Sequence, residues 1–213
     1  GLRPLIHEEG RSPSEISRKD EIAVGASGLV TIAGGKLTTY RRMAERVLDV
    51  ARPLLGCAPA PSAADLQPLA GGDLGGAPDL AAYAASAAVR LGMEGLAPDV
   101  LARLIETPGS DTPEVVHAGG EAGALAPLVP GIALSAAEVR HAARREMART
   151  LADVLERRSP LALFATEDAR AVAPAVAGIL AREIGWSAAR LAAEIAGFDR
   201  QAAARLAWRE GCA

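Results

Sequence analysis

Aromatic side chains are scarce. Phe, Trp and Tyr together make up 3% of the 213 residues, although half of the chain is hydrophobic. The apolar content is therefore mostly Ala, Leu and Val, which favours helices packed closely through small side chains. Lysine is nearly missing: Lys19 and Lys36 stand alone in a chain that otherwise uses arginine, a bias expected of a GC-rich bacterial genome. The two cysteines, Cys57 and Cys212, lie far apart without CxxC or Cys/His metal spacing, so free thiols in a reducing, cytoplasmic setting are expected. His7, His117 and His141 are the whole histidine complement, and none stands at a catalytic spacing from a serine, cysteine or carboxylate. With no HExxH, DxDxDG or Walker motif, neither a metal site nor P-loop chemistry is expected. No run of about 18 apolar residues spans a membrane, and no charged-then-apolar leader is present. The formal net charge of −3 gives no general attraction to nucleic acid. The opening "GLRPLI" reads as the interior of a folded domain, so the chain is expected to be a fragment.

What is present divides into three stretches. Residues 1–56 have α/β character: Glu21–Val24 and Leu29–Ala33 are short apolar runs separated by "GASG", which predicts a hairpin. After Gly34, Gly35 and Lys36, Thr38 and Thr39 are expected to cap a helix by accepting backbone N–H bonds. Met43, Val47, Leu48, Ala51 and Leu54 carry its apolar stripe, and Pro53 with Gly56 ends it. Residues 57–78, "CAPAPSAADLQPLAGGDLGGAP", read as a linker; its "GGDLGG" follows no strand and has no lysine, so a turn is expected there rather than a phosphate loop.

From Asp79 to Ala213 the pattern is helical throughout. Gly92 stops one helix, Pro98 and Pro113 sit in first turns, and Pro174 is expected to kink or split another. The longest helix is expected from Ser135, which forms a capping box with Glu138, to about Arg158. Val139, Ala143, Met147, Leu151, Val154 and Leu155 would form its apolar stripe. Arg140, Arg144, Arg145, Arg149 and Arg157 would lie largely away from it, His141 would be solvated, and Asp153 would pair with Arg157. The expected fold class is mainly α with a small α/β N-terminal part.

Chemistry concentrates in the first forty residues. Arg3, Arg18 and Lys36 could converge on one small anion, with forked contacts from the guanidiniums and a point charge from the ammonium. Separate surface charges are the competing reading. The helix after Lys36 points its positive end and free N–H groups at the strand–turn junction, where negative charge is stabilised. A plain strand–helix crossover is the alternative.

"GLRPLI", "SPSEISRKDEI" and "VTIAGGKLTTYRRMAERVLD", in that order and spacing, resemble the FAD-dependent glycerol-3-phosphate dehydrogenases of the aerobic, respiratory type. "EVRHAARREMARTLADVLERRSPLALF" and "ILAREIGW" are similar to that family's C-terminal helical domain. The resemblance implies that residues 1–56 end an FAD-dependent catalytic domain and residues 79–213 form a C-terminal helical bundle. It implies that Gly34, Gly35, Lys36, Leu37, Thr38 and Thr39 lie beside the flavin. Arg3, Arg18 and Lys36 would then hold glycerol 3-phosphate. It also implies quinone as electron acceptor, a homodimer as a candidate assembly, and a parent enzyme in the cytoplasm, peripheral to the inner membrane. No catalytic residue is expected within this chain, because the amino-terminal FAD-binding fold and the proton-abstracting histidine of the family pattern have no counterpart here. The chain alone is therefore expected to be inactive. The rival reading is a non-enzymatic helical module whose arginine-rich face docks a protein partner or anionic lipid.

Overall fold

The computed structural model describes residues 20–120 and 123–207. The division between two compact units falls at Pro68/Leu69.

The first unit opens with an antiparallel hairpin of β1 (Glu21–Val24) and β2 (Val30–Ala33), in register from Glu21 opposite Ala33 to Val24 opposite Val30. The expected "GASG" turn closes it, with the Gly28 N–H donating to Gly25 O and the Gly25 N–H donating to Leu29 O. A single 3-10 turn at Leu37–Thr39 leads into α1 (Tyr40–Leu54). Pro53 lies in the last turn of α1, and the Cys57 N–H reaches back to Arg52 O across Gly56, whose φ is +67°. No residue of β1, β2 or α1 is fully buried.

The second unit is largely helical. Its helices are α2 (Leu80–Arg90), α3 (Pro98–Glu106), α4 (Thr112–Gly119), α5 (Ala136–Arg145), α6 (Leu161–Phe164), α7 (Thr166–Ile184) and α8 (Ala188–Leu206). Pro98 and Pro113 occupy first turns, as expected. The Met93 N–H donates to Ala88 O across Gly92 (φ +66°), which closes α2 where glycine was expected to stop it. Leu74 and Ala77 pack on this unit, and the Ser110 N–H donates to Gly71 O at 2.9 Å. A Cβ on Gly109 would collide with Gly71 O, so only glycine permits that approach.

Four expectations for this unit need correction. The stretch is not helical throughout, because β3 (Pro127–Val129) and β4 (Ile132–Ser135) form a second hairpin directly before α5. The helix from Ser135 does not reach Arg158: it ends at Arg145, Met147 takes a φ of +59°, and a π-helical turn follows at Asp153–Arg158. A second cap explains the break. Asp153 accepts the Arg149 and Thr150 N–H groups at 2.9 and 3.0 Å, and its own N–H donates to Thr150 Oγ1 at 3.1 Å. Glu194 of α8 accepts the Leu151 N–H at 3.0 Å. Met147 thereby leaves the apolar stripe and is 77% exposed, whereas Val139, Ala143, Leu151, Val154 and Leu155 are buried. Third, of the kink or split expected at Pro174, the split does not occur, since α7 runs unbroken through it. Fourth, His141 is buried, at 7% exposure, rather than solvated.

Two apolar clusters meet on α5. Val139, Ala142 and Ala143 pack with Leu151, Leu155, Val172, Val176, Leu180 and Phe198, while Ala137 packs with Tyr83, Met93, Val100, Leu104 and Val115. The expected capping box is present. The Ser135 N–H donates to Glu138 Oε2 at 2.8 Å, and the Glu138 N–H donates to Ser135 Oγ at 3.3 Å. Glu138 Oε1 also lies 2.6 Å from Arg103 Nε of α3, in a pair whose side chains are 12% and 21% exposed.

Glu138→Ala removes the cap and strands the Arg103 charge, so it should cost about 2–4 kcal/mol of unfolding free energy. Arg103→Met should cost less, because it leaves the cap in place. Urea unfolding of both variants checks the order. Asp153 gives a pH test. Burial pushes its carboxyl up, but the Arg149 and Thr150 contacts and the nearby Arg157 outweigh this and hold it below its ordinary value. Its stability contribution is therefore full above the unfolded carboxylate range and lost as pH falls through the depressed folded value. Asp153→Asn should destabilise by about 1 kcal/mol near neutrality. The gap to the parent chain should close in acid, as followed by thermal unfolding across pH.

Candidate active-site segment

The candidate site is built on the junction between β2 and α1. β2 ends at Ala33, and Gly34 and Gly35 follow with φ of +76° and +85°. These are left-handed conformations that a side chain resists. Lys36 is extended, at φ −128° and ψ 145°, and exposed. A Cβ on Gly35 would lie 2.5 Å from Met43 Sδ and Cε, so the turn is pressed onto the first face of α1.

The threonines do not cap as expected. Thr39 Oγ1 donates to Lys36 O at 3.0 Å and approaches Met43 Sδ at 3.6 Å. The Thr39 N–H donates to the same Lys36 carbonyl at 3.0 Å. Thr39, the residue before α1, accepts no first-turn N–H through its side chain. The physical reason is the 3-10 entry: it turns the Thr39 hydroxyl back onto the preceding carbonyl and away from the donors ahead. The Thr39 hydroxyl is therefore turned away from capping the helix start, and Leu37 beside it is 88% exposed.

Three contacts hold this junction, two of them between partners far apart in the sequence. Asp20, just before β1, pairs with Arg46 of α1. Arg41 donates to the carbonyls of Ala64 and, at 2.8 Å, Gln67, which fastens the following segment to α1. Arg42 and Glu45 pair at 2.8 Å. The hydrogen bond from Arg42 is the main cause holding the Glu45 carboxyl below its ordinary value, and Ser62 adds to it. Only the Arg42/Glu45 spacing was a readable signal; the other partners lie more than twenty residues apart.

Of the expected substrate contacts, Lys36 is at the junction, while Arg3 and Arg18 lie outside the described residues. The expected flavin-facing residues Gly34, Gly35, Lys36, Leu37, Thr38 and Thr39 form one continuous exposed or half-exposed stretch. Cys57 is a free, exposed thiol; Cys212 lies outside the described residues. Among the described residues no group of three His, Cys, Asp or Glu is placed to hold a metal, and no helix is long and apolar enough to cross a membrane.

Residues 62–191 match the family described as the C-terminal domain of alpha-glycerophosphate oxidase. The chain belongs to this family. It is 36% identical over 193 residues to an aerobic glycerol-3-phosphate dehydrogenase of Bacillus subtilis, covering 87% of this chain and 34% of that protein. An enzyme of the same name from Staphylococcus aureus is 36% identical over 200 residues, covering 91% and 35%. The crystal structure of the Bacillus halodurans glycerol-3-phosphate dehydrogenase complexed with FAD superposes with a TM-score of 0.69 at 28% identity, covering 85% of this chain and 36% of that one. The chain thus spans about a third of the length of the relatives it matches. The helical second unit is this family's C-terminal domain, and the expected mainly α architecture holds.

Gly35→Ala adds a Cβ at a left-handed φ and against Met43, and should cost about 1–2 kcal/mol. The loss should appear as faster amide hydrogen exchange across residues 21–54. Trimming Met43 to alanine should relieve only the part due to the contact.

Proposed function

We propose that this chain is the carboxy-terminal third of an FAD-dependent glycerol-3-phosphate dehydrogenase. In the parent enzyme sn-glycerol 3-phosphate is oxidised to dihydroxyacetone phosphate. The C2–H bond breaks with hydride transfer, the C2 hydroxyl loses its proton, and a C2=O bond forms. When bound, FAD supplies the hydride acceptor. Quinone is proposed as the terminal acceptor, and a cytoplasmic enzyme, peripheral to the inner membrane and homodimeric, as its setting.

The observation that carries this reading is the β2–Gly34-Gly35-Lys36–α1 junction, in a chain whose helical unit belongs to the family. The fit to a flavin rests on this helix start. A helix start that Thr39 does not cap, at the positive end of a 15-residue helix, suits an electron-rich carbonyl edge. Leu37, Thr38 and Thr39 would face that edge. Gly34 and Gly35 set the turn that aims them. Lys36, held extended and exposed, would reach the phosphate end of the substrate, with Arg3 and Arg18 as its partners. We assign no residue of this chain to the proton of the C2 hydroxyl.

We further propose that residues 1–56 complete the catalytic domain, that residues 57–78 are the linker, and that residues 79–213 are the helical domain. The rival docking-module reading is less favoured, because the single arginine-bearing helix it relies on ends at Arg145 and the chain turns at Met147, whose φ is +59°.

Joined to the amino-terminal two-thirds supplied by such a relative, the chain should restore acceptor reduction by glycerol 3-phosphate. There Lys36→Ala should raise KM about tenfold with a smaller change in kcat. Unchanged kinetics would remove Lys36 from the pocket. The purified chain alone should be colourless and inactive; a yellow, active preparation would overturn the division of labour.

A further inference from the structure

We propose that Thr39 is a positioning residue for Lys36. Its hydroxyl, donated to the Lys36 carbonyl, sets the backbone from which the lysine reaches the phosphate end of the substrate. The role rests on the parent reaction proposed above and deepens it, because it turns the Thr39 side chain from helix capping to substrate recognition.

The turn before Lys36 has little freedom. Gly34 and Gly35 are held at left-handed φ, and a Cβ on Gly35 would collide with Met43 of α1 and touch Asp20. Asp20 is tied in turn to Arg46 of α1. Lys36 itself is less constrained by its own chemistry. It is extended and exposed, at φ −128° and ψ 145°, and the extended region is broad. Something outside the residue must fix its ψ, and the carbonyl is where that happens. The Lys36 oxygen accepts the Thr39 N–H at 3.0 Å and the Thr39 hydroxyl at 3.0 Å, so both of its lone pairs face one residue. Two donors on one oxygen orient the Lys36–Leu37 peptide plane, and that plane defines ψ of Lys36 relative to α1. A swing of about 10° in ψ carries an ammonium at the end of a lysine side chain by about 1 Å. Displacements of that size matter where a charge must meet a phosphate oxygen.

The hydroxyl has a second acceptor in reach, Met43 Sδ at 3.6 Å. A thioether is the weaker acceptor, so the proton goes to the carbonyl while the sulfur fills the space against Gly35. Donation to a carbonyl three residues back is a common local habit of threonine. Its bearing on function here comes from whose carbonyl it takes.

The test separates positioning from a direct or purely structural role. In the full chain, Thr39→Val keeps the branched shape and removes the donor. The Lys36 carbonyl carbon-13 resonance should then move upfield, and Thr39→Ser should return it, with the helical circular dichroism unaltered in both. In the enzyme joined as described above, Thr39→Val should raise KM for glycerol 3-phosphate about threefold with a smaller change in kcat, and Thr39→Ser should restore most of the loss. In a Lys36→Ala background, Thr39→Val should add no further rise, because the residue it positions is gone. Three results would each overturn the positioning role and leave the pocket reading standing: an unmoved Lys36 carbonyl resonance, a serine variant that behaves like valine, or an equal effect of Thr39→Val with and without Lys36. An unchanged KM in Lys36→Ala alone would overturn the pocket reading and the positioning role with it.

Discussion

The helical unit depends on one carboxylate. Glu138 closes the capping box of α5 through Ser135 and holds Arg103 of α3 at 2.6 Å. α5 is also the helix on which the two apolar clusters meet, with Ala137 on one side and Val139, Ala142 and Ala143 on the other. A helix with alanine at so many of its contacts lets its neighbours approach closely, but gains little area from each contact. Orientation must then come from directional interactions. Glu138 fixes the start of α5 relative to α3, and Arg144 fixes its end relative to α7 through the forked pair with Glu183. The scarcity of aromatics and the reliance on forked arginine pairs are two sides of one solution.

The first unit is held together differently. Its described residues include no fully buried side chain in β1, β2 or α1, and Leu37, Leu48, Leu54 and Leu55 are exposed. Its order comes from the hairpin register, the Gly34-Gly35 turn pressed on Met43, and arginine contacts such as Arg46 with Asp20 and Arg41 with the Ala64 and Gln67 carbonyls. Such contacts set geometry but contribute little net stability at exposed sites. A unit of this kind presents a shaped surface on which large apolar side chains stay uncovered.

Much of this was legible in the sequence where the signal was local. The "GASG" hairpin, the Ser135–Glu138 box, the first-turn prolines and the Gly92 stop each need only a few neighbouring residues, and each appears. The failures share a cause. Ser135 to Arg158 carries a near-continuous helical stripe with no glycine or proline, yet the helix breaks where Thr150 and Asp153 form a cap of their own and Glu194 arrives from α8. The Thr-x-x-Asp spacing was present in the sequence; the contribution of Glu194, 43 residues away, was not. His141 was misplaced because α4, distant in sequence, packs on α5 and covers a face that the apolar stripe alone leaves to solvent. The β3–β4 hairpin escaped because its strands are only three and four residues long.

At the candidate site the legible part was the arrangement and the illegible part was the direction of one hydroxyl. Two threonines after a glycine pair suggest a capped helix, and a capped helix would offer an anion or flavin less. Thr39 donating back to Lys36 O reverses that consequence. The same hydrogen bond fixes the Lys36 carbonyl, so the lysine leaves the turn from a held backbone while the Thr39 hydroxyl leaves the helix start uncapped by it. The binding proposed for this junction therefore rests less on which residues are present than on the 3-10 entry that keeps the threonine hydroxyl from closing the helix it precedes.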